Sequence, residues 1–169
     1  MLRFLLVSAA AAFSVSHAEV VSTSATGFRL QHEATSPLAP DALWARLMEP
    51  ATWWDGDHSY SGDAANLSLG DKAGDYWRED WADGSVIHGQ ILVVKKGEEL
   101  LLSAPFGPLV ETGAACVWKI QIQPSEDGGT VITSSHLIAG APGTGLEELA
   151  GPVDFVMSNG INRLAAAPE

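Results

Sequence analysis

The only long helical periodicity in this chain comes last, after a succession of segments that alternate every second residue. Leu146, Leu149, Val153, Val156, Met157, Ile161 and Leu164 recur at helical spacing between Leu146 and Ala166. Upstream, Phe28, Leu30 and His32 alternate with Arg29, Gln31 and Glu33. Trp77, Glu79 and Trp81 alternate with Tyr76, Arg78 and Asp80, and Cys116, Trp118, Ile120 and Ile122 with Lys119, Gln121 and Gln123. Period two with polar residues on one side means strands with one dry face. Such a sheet must be covered, and the terminal helix is the element long enough to cover it. The expected class is α+β: an antiparallel sheet of about six strands with a long C-terminal helix and a short helix pair after the first strand.

The joints agree with this order. Pro37 and Pro40 break the first strand, Asp41 can cap, and Leu43, Trp44, Leu47 and Met48 make a short amphipathic helix that stops at Pro50. Ala51 to Trp54 are expected to make one more turn or a tight corner. Residues 55–75 are rich in Gly, Asp, Ser and Asn and read as a long loop with at most a short strand. Asp83-Gly84, Lys96-Gly97-Glu98 and Asp127-Gly128-Gly129 punctuate an antiparallel meander. Inside the last helix, Pro152 and Gly160 mark positions for a kink.

The N-terminus reads as an address. Met1-Leu2-Arg3, an uncharged apolar stretch from Phe4 to Val15, and Ser16-His17-Ala18 have the three-part layout of a secretory signal, predicting cleavage after Ala18. The apolar stretch is too short for a membrane anchor and no second one follows, so the mature protein is expected to be soluble and periplasmic or extracellular. Residues 19–26 are small and polar and read as a flexible leader, and 27–166 as one domain. Cleavage leaves eight basic against twenty-one acidic residues, a net charge of −13, which argues against nucleic acid or an anionic membrane as partner. Cys116 is the only cysteine, so no disulfide forms within the chain, and its apolar strand context reads as a buried, inert thiol.

Strand, helix pair, meander and long helix, in that order, resemble the START-like, helix-grip superfamily, also known as SRPBCC. It includes polyketide cyclase and lipid-transport-like domains and the activators of heat-shock chaperone ATPases. The residues that carry the resemblance are Leu38-Ala39-Pro40-Asp41-Ala42-Leu43-Trp44, Met48-Glu49-Pro50-Ala51-Thr52-Trp53-Trp54, Gly84 before Val86 to Val94, and Gly128-Gly129-Thr130-Val131-Ile132-Thr133. They span the chain from Phe28 to Leu164. The resemblance implies a curved sheet wrapped around the C-terminal helix, with an apolar cavity between them. Members use that cavity for lipids, for polyketide cyclisation or for no known ligand, so the fold alone selects no function. The export signal departs from the many cytoplasmic members and argues against a chaperone role.

Catalysis needs inward-facing titratable groups. Glu79, between Trp77 and Trp81, would gain a raised pKa on burial and could act as a general acid or base; on the other face it would be an ordinary exposed glutamate. His88 and His136 lie within apolar strands, where a histidine either lines a cavity or makes a structural hydrogen bond. Ser134 lacks the glycines of a nucleophile elbow. Asp55, Asp57 and His58 form a compact cluster whose spacing fits no metal motif, and a dinucleotide fingerprint and a phosphate loop are both missing. No cofactor or metal is therefore expected. Of six tryptophans, Trp53, Trp54, Trp77, Trp81 and Trp118 either line the expected cavity, with Val153 and Met157 from the helix, or fill the core. The first reading is thus an exported carrier of a small hydrophobic molecule or lipid. The alternatives are a cyclase- or hydratase-type enzyme using Glu79, His88 or His136, and a module that binds another envelope protein.

Overall fold

The computed structural model describes residues 17–168. Strands β1 (His17–Ser24) and β2 (Gly27–Ser36) lead into helix α1 (Pro40–Leu47) and three single 3-10 turns, Pro50–Thr52, Gly56–His58 and Ala64–Asn66. Then follow β3 (Leu67–Leu69), β4 (Tyr76–Trp81), β5 (Gly84–Lys95), β6 (Glu99–Ser103), the one-turn α2 (Leu109–Thr112), β7 (Ala115–Pro124), β8 (Thr130–Ala139) and α3 (Leu146–Ala165). All eight strands form one open sheet in the order β1-β2-β8-β7-β6-β5-β4-β3, every neighbouring pair antiparallel. The architecture is α+β, with the long helix at the C-terminus.

Two of the eight strands exceed the six expected. β3 is the three-residue strand that the long loop allowed for. β1 is a correction: residues 19–26, expected as a flexible leader, are a strand as far as Ser24, paired with β2 from His17↔Glu33 to Ser24↔Gly27. Small polar residues give no alternation to read, and this strand is made by pairing with its neighbour. A bulge at Val21 interrupts its ladder, a common way to blunt an exposed sheet edge. Residues 1–16 of the expected signal lie outside the described residues.

Helix α3 crosses the β1 and β2 end of the sheet. Glu147 and Glu148 stand in its first turn and Arg163 in its last, each favourable to the helix dipole. Its buried face, Leu146, Ala150, Val153, Met157, Ile161 and Leu164, meets the inward residues Leu30, Ala34, Ile132 and Ile138 of the sheet. Polar ties fix its position: Arg163 Nε donates to the Trp53 carbonyl at 2.9 Å, Asn159 Nδ2 to Asp55 Oδ2 at 2.7 Å and Arg46 Nε to the Leu164 carbonyl at 3.2 Å.

Over the other half of the sheet, aromatic rings take the place of a helix. Trp53, Trp54, Trp77, Trp118 and Phe106 are all buried, and their ring centroids lie 5.3–6.4 Å apart in mostly edge-to-face pairs, the arrangement favoured by ring quadrupoles. Gly160 of α3 lets Trp54 in, because a Cβ there would stand 2.9 Å from Cζ3 of that ring. Gly160→Ala gains about 1 kcal/mol of helix propensity but overpacks a ring that cannot yield, at about 1–3 kcal/mol. The expected net result is a loss of up to about 2 kcal/mol in thermal denaturation, and a raised midpoint would refute this packing.

Candidate functional site

The bulge that interrupts the β4–β5 ladder falls on a candidate residue. Trp77 pairs with Gly89 and Arg78 with Ile87, so His88 is the extra residue between them. An inserted residue escapes the ladder and re-aims its side chain, and here His88 points inward and is buried. Glu79, on the same inner face, is fully buried too, and His88 Nε2 lies 2.9 Å from its Oε2. The possibility of an exposed Glu79 is thereby removed.

A buried carboxylate needs donors, and Glu79 has several. Besides His88 it accepts the backbone N–H of Tyr60 at 3.0 Å and of Ser61 at 2.5 Å. The 55–66 loop is thus pinned to the sheet by a side chain. Burial alone would raise the pKa of Glu79, but the hydrogen bonds from the side chain and backbone of Ser61, from Tyr60 and from His88 outweigh it and bring it down to about 2. Burial lowers the pKa of His88, and the adjacent Glu79 only partly opposes this. At neutral pH the pair is therefore a carboxylate and a neutral imidazole. A carboxylate has no proton to give, so Nε2 of His88 carries the shared one.

His88 forms part of the wall of a cleft of about 410 Å³ between α3 and the loops before β3 and after β6. Trp54, Tyr60 and Phe106 line one side, and Pro152, Val153, Val156 and Met157 of α3 the other. His58 and Ser59 stand at the same opening. The wall is mainly apolar, and among the described residues no Lys, Arg, Asp or Glu lines it. Its volume lies at the lower end of the range for small-molecule sites.

The expected residues divide into two groups. Trp54, Val153, Met157 and His88 line the cleft, with Glu79 directly behind His88. Trp53, Trp77 and Trp118 are buried behind it, and half-buried Trp81 packs over Gly84 at the end of β4. His136 is buried beside Phe106 and Trp118, at ring distances of 6.3 and 6.4 Å. Neither of its ring nitrogens makes a well-formed hydrogen bond, and burial, only partly opposed by the Ala104 backbone, drives its pKa down to about 4. Burial likewise pushes the Cys116 thiol up to about 11, which leaves it un-ionised and inert. In the loop cluster, Asp55 accepts from Asp57 N and from Asn159 Nδ2, a role in shaping the turn and holding α3.

Sequence reasoning singled out neither buried His32 nor the cleft residue Tyr60. His32 is fully buried and its Nε2 lies 2.8 Å from Asp154 Oδ1 of α3. Tyr60 joins both loops of the cleft, since its ring lies 5.7 Å from that of His88 and its hydroxyl donates to the Gly107 carbonyl at 3.4 Å. The alternation of Phe28, Leu30 and His32 was a signal for the first; a tyrosine in a polar loop gave none for the second.

No family model and no curated protein matches the chain. Solved structures do. A protein from Rhodobacter sphaeroides superposes with a TM-score of 0.57 at 18% identity, over 88% of this chain and 96% of that one. One from Thermobifida fusca gives 0.58 at 14% identity, over 81% and 90%. DynU16, a protein of the dynemicin biosynthetic locus, gives 0.54 at 20% identity over 81% of this chain, which spans 45% of its length. At these identities the likeness is one of fold: an antiparallel sheet with a C-terminal helix, the helix-grip arrangement.

Proposed function

We propose that this chain is an exported binding protein of the START-like superfamily that holds a small, largely apolar molecule in the cleft between α3 and the Tyr60 and Phe106 loops. The observation that carries the reading is the cleft itself, an aromatic and aliphatic wall with a single inward histidine fixed behind it. Rigid aromatic faces with few placed polar groups suit such ligands. The volume favours a compact ring system over a long-chain lipid, because α3 closes on one half of the sheet and buried tryptophan rings fill the other. Export rests on the N-terminal pattern, and cleavage after Ala18 would leave Glu19 to Ser24 free to pair with β2.

Native mass spectrometry of protein exported from its own signal tests both points. The expected result is a chain beginning at Glu19 that carries a discrete small-molecule adduct lost on denaturation; an intact residue 1 removes the export reading. In parallel, the neutral fluorophore N-phenyl-1-naphthylamine should bind, and Val156→Trp, which fills the cleft from a half-buried position on α3, should weaken it about tenfold or more by steric loss. Equal affinity of the variant would move the ligand site elsewhere.

One observation favours a second reading, a cyclase- or hydratase-type enzyme. The His88–Glu79 pair has the geometry of an oriented base, a neutral imidazole whose far nitrogen is held by a carboxylate. Turnover of an added substrate, abolished in His88→Phe with binding retained, would establish it over the carrier.

A further inference from the structure

The polar groups around the cleft are unevenly available to a ligand. Trp54 Nε1 donates to the His58 carbonyl at 3.2 Å, Ser59 Oγ to the Gly56 carbonyl at 2.9 Å and the Tyr60 hydroxyl to the Gly107 carbonyl. These donors are spent inside the protein. His58 stands at the rim with its ring edge-on to Phe155, 5.9 Å away. His88 is different: its Nε2 proton is committed to Glu79, so the ring nitrogen left for a ligand is Nδ1, an acceptor. A tautomer swap would turn the lone pair of His88 Nε2 onto the Glu79 carboxylate, acceptor against acceptor at 2.9 Å. The neutral state of His88 agrees with this assignment.

An acceptor at the wall of an apolar site asks its ligand for a hydrogen. It does so without offering a cation, since no Lys or Arg lines the cleft among the described residues and the buried carboxylate of Glu79 stands behind the ring. Anions are disfavoured on both counts, and the acidic balance of the whole chain adds to this. The ring of Phe106 lies 24° from that of Trp54 with centroids 5.6 Å apart, so two nearly parallel aromatic groups meet in the wall. We infer that the cleft selects neutral, flat ring systems carrying a hydroxyl, phenol-type molecules whose O–H donates to Nδ1 of His88 while the rings lie against Trp54 and Phe106.

This inference rests on the cleft being the ligand site, and the test separates the two. Titration calorimetry with naphthalene, 2-naphthol and 2-naphthoate on the purified chain compares one ring system with no polar group, a hydroxyl and a carboxylate. The expected order is 2-naphthol about five- to tenfold tighter than naphthalene, the size of one net hydrogen bond, with 2-naphthoate the weakest. In the same wild-type protein, the ¹⁵N resonance of one imidazole Nδ1 should move on adding 2-naphthol and stay put with naphthalene. His88→Phe should erase the preference for the hydroxyl; if that variant fails to fold, the ¹⁵N result decides. Equal binding of naphthol and naphthalene, or tightest binding of naphthoate, overturns the inference and leaves the cleft reading standing. If none of the three binds, both fall.

Discussion

Replacing Glu79 with leucine will lower the unfolding free energy by about 3–5 kcal/mol, because three donors lose their common acceptor. The substitution keeps the volume but strands three donors at once: the buried His88 Nε2–H and the part-buried backbone N–H groups of Tyr60 and Ser61. Each unsatisfied donor costs about 1–3 kcal/mol, less where the loop can lift towards water. Glu79→Gln keeps one acceptor oxygen and should lose about half as much. Adding His88→Phe to Glu79→Leu should recover part of the loss, since one stranded donor is then removed and apolar groups replace the pair. Urea denaturation of the four proteins measures these differences. A loss below about 1 kcal/mol for Glu79→Leu would mean that the carboxylate does not hold the loop.

Acidification will destabilise the fold well before its carboxylates titrate. Unfolded His136 takes a proton near pH 6.5, whereas the folded chain accepts one there only near about 4. Between those values the unfolded state holds more protons, so stability falls as pH falls. Above 6.5 both states are neutral at this site and its contribution is whole. Across the window the loss amounts to about 3 kcal/mol. Burial is the main cause of the low His136 value, the Ala104 backbone opposes it, and the electrostatics of nearby His32, itself held by Asp154, adds to it. The lowered pKa of His88 acts with the same sign, and below pH 4.5 Glu79 adds to it, since the unfolded chain protonates it there while the folded chain holds it ionised down to about 2. His136→Phe, of similar shape and without a titrating group, should flatten the slope between pH 6.5 and 4 and leave two fewer unpaired nitrogens in the core. Denaturation midpoints at pH 7.5, 5.5 and 4.5 compare the two proteins, and an equal slope in both would remove His136 as the cause.

What was legible in the sequence follows from what alternation can encode. In β7 the dry face is written out as Cys116, Trp118, Ile120 and Ile122, and all four are buried. The helical spacing from Leu146 onward likewise names the buried face of α3, apart from half-buried Leu149 and Val156. β1 was illegible because its order comes from hydrogen bonding to β2 and not from its own side chains. Glu79 was legible only in part: alternation put it beside Trp77, while its charge argued for water. The donors that settle the matter come from Tyr60 and Ser61, eighteen or nineteen positions away in a loop without pattern. The bulge at His88 resets the period in mid-strand, so that Ile91 resumes the inner face out of phase with His88. No pattern of period two can carry that information.

The packed indoles have an optical consequence. Trp53, Trp54, Trp77 and Trp118 stand with ring centroids within 6.4 Å in a linked set, close enough for their excited states to couple, so the folded chain should give an intense, structured near-ultraviolet dichroism that vanishes on unfolding. Only Trp54 of the four touches the cleft. A molecule that quenches that one ring therefore drains emission from all four, while Trp44 and Trp81, outside the linked set, supply an internal reference. The protein thus carries its own reporter of occupancy, wired into its core.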